Sequence, residues 1–169
     1  DEDLFIEYFN RHPEMKLIIA PHVIDENHLV EIIRKLKRPY VRYTRADEKN
    51  VRKADCLIID CFGLLSSIYR YGEIAYIGGG FGVGIHNTLE AAVYGIPVIF
   101  GPKYQKFQEA IHLLEAKGGF SIKSYEELKI LLDRMLGDED FLREAGKNAG
   151  AYVTDNAGTT DKVLGMINF

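Results

Sequence analysis

A glycine-rich stretch carries the residues whose types and spacing best suit phosphate chemistry. Its sequence is Ile77-Gly78-Gly79-Gly80-Phe81-Gly82-Val83-Gly84-Ile85-His86-Asn87-Thr88-Leu89-Glu90. Residues 78–88, the glycine-rich loop, connect a predicted strand to a predicted helix. Glycine lets backbone N–H groups approach a phosphate closely, and a helix start adds about half a positive charge. The residues that we expect to contact a phosphate are Gly79, Gly80, Phe81 and Gly82.

The glycine-rich loop matches neither of two common nucleotide-binding fingerprints. Ile85 stands where the dinucleotide pattern has its third glycine, and the stretch lacks the GKS or GKT of a P-loop. No acidic residue follows about twenty positions later to hold the ribose of NAD. The alternative is that these glycines serve only tight turns and close packing of a helix on the sheet.

Three polar residues at the end of this stretch each have two interpretations. Asn87 is a candidate N-cap that places Glu90 at position N3, so the pair fits a capping box. A carboxylate beside a phosphate can instead accept hydrogen bonds from both hydroxyls of a ribose. His86 suits donation to a phosphate or a sugar carboxylate, and equally suits anchoring of the loop.

Other predicted loops also follow strands. In Asp60-Cys61-Phe62-Gly63, the glycine can present backbone donors to a base edge or a phosphate, while Asp60 can simply tie the loop. Pro21 and His22 follow the first strand, where an ordinary turn is the alternative. Lys103 and Lys106 are candidate contacts for an anionic group, although lysines are common on any surface.

Short apolar runs alternate with amphipathic stretches of helical length. Strands are predicted at 16–20, 40–44, 56–60, 74–78, 97–100 and 119–122, and helices at 26–37, 63–71, 88–94, 104–116, 125–136, 139–152 and 159–168. This order predicts an α/β fold, a doubly wound and mostly parallel sheet with helices on both faces. Such sheets bind ligands at the carboxyl ends of their strands, where these loops lie.

Composition limits the classes of function. The 169 residues suit one domain, 1–169, and Lys plus Arg (21) minus Asp plus Glu (25) gives a net charge of −4, which disfavours nucleic acid as a partner. No histidine or cysteine spacing suits a metal.

Cys56 and Cys61 on one strand would lie about 16 Å apart, which excludes a disulfide between them and fits a reduced cytosolic setting. A basic cluster, Arg34, Lys35, Lys37 and Arg38, either complements a helix dipole or touches anionic lipid.

Several motifs in combination resemble one enzyme family. They are Asp60-x-x-Gly63, the glycine-rich loop, His86-Asn87-x-x-Glu90, and Gly95-x-Pro97-Val98 through Gly101-Pro102. The stretch from about Leu17 onward, most densely from Asp60 to Phe107, is similar to the 3-deoxy-D-manno-octulosonic acid (Kdo) transferases. These glycosyltransferases have the GT-B fold of two facing Rossmann-like domains.

The resemblance implies a nucleotide-sugar donor-binding domain that holds CMP-Kdo, whose Kdo passes to a lipid A precursor without a metal or cofactor. The general base of the family lies in an N-terminal acceptor domain, so we expect no catalytic residue in this chain. The chain begins without Met, and we expect that domain to be missing from it. The full-length protein is expected on the cytoplasmic side of the inner membrane of a Gram-negative bacterium, in peripheral contact with it. Donor contacts are expected from Pro21, His22, Phe62, Gly63, Asn87 and Glu90.

Four positions depart from the family pattern. The family usually has Arg-His after the proline, where only His22 follows Pro21, so a charge partner of the phosphate is missing or replaced. At three further positions, the residues that the family usually has are replaced: Glu by Leu64, Pro by Thr88, and Asn by Lys106. The alternatives are another GT-B enzyme, either a UDP-sugar transferase or a sugar-nucleotide epimerase, and a non-catalytic nucleotide- or protein-binding module.

Overall fold

The structure is a computed structural model that describes residues 1–156. The predicted helix over 159–168 lies outside these residues. The chain divides into two compact units, the first spanning Asp1–Ile68 and the second starting at Tyr69. The expectation of a single donor-binding domain over 1–169 stays a prediction.

The first unit is a three-stranded parallel sheet with helices. Its strands are β1 (Leu17–Ile19), β2 (Tyr40–Arg42) and β3 (Cys56–Ile58), in the order β1-β3-β2. Its helices are α1 (Glu2–Arg11), α2 (Glu26–Lys35), α3 (Glu48–Val51) and α4 (Leu65–Ile68), with a 3₁₀ turn at Tyr43–Arg45. Because parallel strands end at the same edge, the loops after β1, β3 and β2 are neighbours.

The second unit is also a three-stranded parallel sheet with helices, but its strands follow one another in chain order. Its parallel strands are β4 (Ala75–Ile77), β5 (Val98–Phe100) and β6 (Gly119–Ser121), in the order β4-β5-β6. Its helices are α5 (Leu89–Ala92), α6 (Gln108–Glu115), α7 (Tyr125–Gly137) and α8 (Glu139–Asn156), preceded by a 3₁₀ turn at Tyr69–Tyr71. All three residues of β5 are buried, as expected for a strand covered on both faces.

Each unit has an apolar core. The first core centres on Ile6, Phe9, Ile19, Leu29, Ile32 and Ile58, and the second on Ile77, Ala91, Ala92, Val98, Phe100 and Leu113.

The α/β fold class and all six predicted strands are confirmed, with every strand parallel and slightly shorter than predicted. Three helix predictions were clearly too long: the predicted helix 63–71 is α-helical only over Leu65–Ile68, 88–94 only over Leu89–Ala92, and 104–116 begins at Gln108.

Two residues of the basic cluster, Arg38 and Lys35, make structural contacts. Arg38 donates to the carbonyl oxygens of Phe9 (2.9 Å) and His12 (2.8 Å), and its guanidinium lies 4.0 Å from the centre of the Phe9 ring. Phe9 is in the last turn of α1 and His12 is its C-cap residue, so Arg38 caps the end of this helix. Lys35, in the last turn of α2, forms an ion pair with Asp3 (2.6 Å). Lys35 thus lies where the helix-end interpretation places it, whereas Arg38 is nearly buried and caps α1 instead of lying on a solvated face of α2.

Both cysteines are free thiols, as the spacing predicts. Burial raises the pKa of Cys56 to about 12, which makes its thiol unreactive at neutral pH. Within residues 1–156, no group of three or more acidic, histidine or cysteine side chains could hold a metal ion. None of the helices in that range is long and apolar enough to cross a bilayer.

Candidate functional site

The first unit brings two of the predicted loops to adjacent strands. Pro21 and His22 follow β1, with the proline buried and the histidine exposed, while Phe62 and Gly63 follow β3. Since β1 and β3 pair directly in parallel, both loops lie at the carboxyl edge of the same sheet. This edge is where α/β sheets bind ligands.

Asp60 fastens the turn after β3 to the end of β2. Its side chain, with none of its surface exposed, accepts hydrogen bonds from Arg42 Nε (2.7 Å), Thr44 N (2.9 Å) and Thr44 Oγ1 (2.6 Å). Arg42 also donates to both carboxylate oxygens of Glu26 in the first turn of α2 (2.7 and 3.0 Å). The interpretation of Asp60 as a loop tie is confirmed. Arg42 and Thr44 were not singled out from the sequence, although a charged residue ending a buried strand is a usable signal.

The charge on Asp60 is stabilised by its hydrogen bonds. Burial alone would raise the pKa of this carboxyl, but the bonds from Thr44 and Arg42 outweigh burial and lower the pKa to about 2. Asp60 is therefore a carboxylate throughout the physiological range. Its role is to hold the turn that follows it.

This pKa predicts an acid-dependent loss of stability. The folded pKa of about 2 lies below the ordinary value of 3.8, so Asp60 stabilises the fold above about pH 4 and loses this effect as the pH falls towards 2. The loss is at most about 2 kcal/mol. Urea unfolding at pH 5, 3.5 and 2.5 measures it, with Asp60→Asn as the reference. A stability difference between the two proteins that does not shrink at low pH would contradict this.

The turn held by Asp60 presents an open aromatic side chain. Phe62 is 83% exposed, and Gly63 has φ +87° with no atom within 4 Å of the position a Cβ would take. Gly63 is thus required for its backbone angle rather than for space. An apolar ring so exposed beside a fixed turn offers a flat surface to a ligand.

In the second unit, the glycine-rich loop closes on itself. Gly79 has φ +91°, and a Cβ there would lie 2.2 Å from the carbonyl oxygen of Gly84. The N–H groups of Gly82 and Gly84 both donate to the Gly79 carbonyl (2.9 and 3.2 Å). His86 donates its backbone N–H to Gly78 (3.1 Å). These three amides are occupied in this state, whereas the N–H groups of Phe81 and Val83 have no acceptor within residues 1–156.

The loop between β5 and α6, residues 101–107, packs tightly on the glycine-rich loop. A Cβ on Gly80 would lie 2.5 Å from Gly101 N, and a Cβ on Gly84 would lie 3.0 Å from the Phe107 ring. Lys103 N donates to Gly80 O (3.0 Å). Close packing within the protein therefore accounts for the glycine at position 80, as the alternative interpretation predicted.

The polar end of the glycine-rich loop is arranged differently from a complete capping box. The N-cap of α5 is Thr88, not Asn87, although Asn87 Oδ1 accepts from the first helical N–H, Leu89 N (3.0 Å). Glu90 Oε1 accepts instead from the side-chain amide of Asn87 (3.1 Å), not from its backbone N–H. The predicted capping box is thus wrong, because with Thr88 as the N-cap Glu90 occupies N2 rather than N3. Because α5 is a single turn, it also contributes less of the predicted N-terminal dipole.

Burial, and secondarily the charge of Glu90, raise the pKa of Tyr69 to about 12, so this tyrosine stays neutral near the Glu90 carboxylate.

Thr88, which replaces the proline usual in the family, is a mild departure from the family pattern. Its φ of −81° is close to the angle of a proline, and its buried hydroxyl has no partner within the described residues.

A scan against protein-family models finds no match. The chain is 35% identical over 134 residues to the 3-deoxy-D-manno-octulosonic acid transferase of Aquifex aeolicus, covering 78% of this chain and 36% of that protein. It is 30% identical over 158 residues to the transferase of the same name from Chlamydia muridarum, covering 91% of this chain and 36% of that protein. The chain belongs to the Kdo transferase family. It spans about a third of the length of these relatives.

Solved structures agree on the fold. The crystal structure of the C-terminal CMP-Kdo binding domain of WaaA from Acinetobacter baumannii superposes with a TM-score of 0.75 at 18% identity, covering 90% of this chain and 82% of that one. The C-terminal domain of the glycosyl transferase LpcC from Francisella tularensis gives a TM-score of 0.59 at 16% identity, covering 91% and 75%. The chain thus has the fold of a GT-B C-terminal domain.

Proposed function

We propose that this chain is the donor-binding half of an enzyme that transfers Kdo from CMP-Kdo to a lipid A precursor. The observation that carries the proposal is the pairing of Asn87 and Glu90 at the end of the glycine-rich loop, within a chain of the Kdo transferase family. This pairing orients a carboxylate beside a loop that still has open backbone donors. A ribose and a phosphate need this combination of groups.

Glu90 is proposed to accept hydrogen bonds from the ribose hydroxyls. Its carboxylate is partly exposed, and its bond in the described structure is one contact of 3.1 Å with an exposed Asn87 side chain. Two ribose hydroxyls can therefore replace or join this contact at little cost. The amides of Phe81 and Val83 are available to the phosphate, while Gly79, Gly80 and Gly82 set the shape of the loop, and His86 follows as a further proposed contact.

From the first unit, we propose donor contacts through Pro21, His22, Phe62 and Gly63. The solvent-exposed ring of Phe62 suits contact with a base, because every base has a flat face that stacks on an aromatic side chain. The turn that carries Phe62 is held in place by the three hydrogen bonds to Asp60.

In the full-length enzyme, the proposed N-terminal domain binds the acceptor and supplies the general base. This chain would contribute electrostatic stabilisation, because donors directed at the phosphate favour the charge that develops on CMP as the glycosidic bond breaks. We propose the cytoplasmic side of the inner membrane as its location, since the acceptor is a lipid. The chain alone is expected to bind the donor but not to catalyse transfer.

A nucleotide titration tests this proposal. We expect CMP to bind in preference to UDP and NAD in calorimetry, with NMR shifts at Gly79–Glu90. Glu90→Ala should weaken CMP binding about 10- to 100-fold, because hydrogen bonds to a charged group contribute about 1.5–3 kcal/mol. With 2′-deoxy-CMP, the variant and the wild type should differ much less, since one of the two hydroxyls is missing.

Glu115→Ala is the matched control, because Glu115 is an exposed carboxylate at the end of α6. If Glu90→Ala lowers the melting temperature but leaves CMP affinity intact, Glu90 has only the structural role of holding the Asn87 side chain. A preference of the wild type for UDP would instead indicate another GT-B enzyme. Loss of Kdo transfer by Glu90→Ala in the full-length enzyme is the corresponding expectation for activity.

A further inference from the structure

We propose that Lys103 is the cation that binds the anionic part of the donor. In the absence of donor its ammonium contacts the carbonyl oxygen of Gly82, and it leaves this oxygen when the donor binds. This inference rests on the proposed function and adds a residue to it. Sequence reasoning left Lys103 and Lys106 equally open, and the geometry points to the first.

Lys103 is attached to the glycine-rich loop at two points. Its backbone N–H donates to Gly80 O (3.0 Å), and its ammonium donates to Gly82 O (2.7 Å). The first bond, with the contact between Gly80 and Gly101, fixes the start of the lysine side chain. The second places a full positive charge directly on the loop. Lys106, three positions later, is exposed and makes no hydrogen bond within residues 1–156.

The loop needs a cation from another segment. Residues 78–90 contain no lysine or arginine, and only His22 follows Pro21 where the family pattern would place an arginine as well. The single turn of α5 adds little positive potential. Among the described residues, Lys103 is the only lysine or arginine whose side chain bonds to this loop.

The present partner of Lys103 can be exchanged easily. Gly82 is exposed, so water can replace the ammonium at its carbonyl oxygen when the lysine leaves. An ammonium ion forms a stronger bond with an anion than with a neutral carbonyl. A donor anion near Gly82 would therefore attract the side chain, and the backbone bond to Gly80 would keep the loop in shape.

A Kdo donor offers two anions, the phosphate and the sugar carboxylate. Separate titrations distinguish them, because CMP carries only the phosphate, free Kdo only the carboxylate, and cytidine neither. The proteins compared are the wild-type chain, Lys103→Ala, Lys103→Arg and Lys106→Ala. Lys106→Ala removes the same charge from the same loop and is the matched comparison.

We expect Lys103→Ala to weaken binding of CMP or of free Kdo about tenfold or more, with cytidine affinity unchanged, and Lys103→Arg to retain most of the affinity. The ligand that loses affinity identifies the anion. The difference should shrink as salt is raised, since the contact is ionic and exposed. Melting temperatures of the variants close to that of the wild type would show that the loop is intact.

Several outcomes would overturn the assignment of Lys103. These are unchanged affinity for both CMP and Kdo, an equal loss for cytidine, or a loss in Lys106→Ala as large as in Lys103→Ala. A wild-type chain that prefers UDP would overturn the proposed CMP donor instead. Titrating the same variants with UDP would then test whether Lys103 binds the donor anion. No binding of any nucleotide or of Kdo by the wild-type chain would overturn both.

Discussion

Replacing Gly80 with alanine is expected to destabilise the chain by about 3 kcal/mol, lowering its melting temperature by roughly 6–12 °C. A Cβ at this position would lie 2.5 Å from Gly101 N and 2.6 Å from its Cα. Both atoms are backbone, so no side chain can rotate away, and the two loops must separate. Separation would also lengthen the bond from Lys103 N to Gly80 O. Thermal unfolding followed by circular dichroism measures the effect.

The matched control for this variant is Gly137→Ala. Gly137 lies at the end of α7, and a Cβ there would have no atom within 4 Å. This change should be neutral or slightly stabilising, because alanine is the better helix former. If Gly80→Ala melted like Gly137→Ala, the close contact between the two loops would not exist in solution. We also expect Gly80→Ala to lose CMP affinity, since the shape of the glycine-rich loop depends on that contact.

Replacing Asp60 with alanine is expected to cost about 3 kcal/mol of unfolding free energy. The change removes three hydrogen bonds and leaves Arg42, whose side chain is 13% exposed, with only Glu26 as a charged partner. A buried charge that loses its main partner is costly. The turn that carries Phe62 and Gly63 should become mobile, so donor affinity should fall as well. Urea unfolding at pH 7 measures the first effect.

Arg143→Ala provides the comparison for an ion pair on the surface. Arg143 and Asp140 lie three residues apart in α8, and their side chains are 72% and 84% exposed. Removing such a pair should change stability by less than about 1 kcal/mol. An Asp60→Ala variant no less stable than Arg143→Ala would show that Asp60 does not hold the turn. Removing the exposed pair is thus expected to cost much less stability than removing the buried one.

The core strands were predictable because their local pattern is sufficient. Val98, Ile99 and Phe100 form a short apolar run bounded by Pro97 and Gly101, which is typical of a strand covered on both faces. The helix after the glycine-rich loop was less predictable. Its apolar residues are consistent with a longer helix, but Tyr94 N and Gly95 N bond three residues back, to Ala91 O (3.0 Å) and Ala92 O (2.9 Å), so the chain continues as turns and α5 is one turn.

The sequence by itself determined the α/β class, the six strands, the loops that follow them, and the resemblance to the Kdo transferases. These depend on the order of residues along the chain, which local periodicity and motif spacing record directly. Only the tertiary structure decided which partners those loops use. Arg42 bonds to Asp60 across 18 positions and Lys103 to Gly82 across 21. Such pairs depend on which strands become neighbours, and strand order is set by packing of the whole sheet rather than by any short segment.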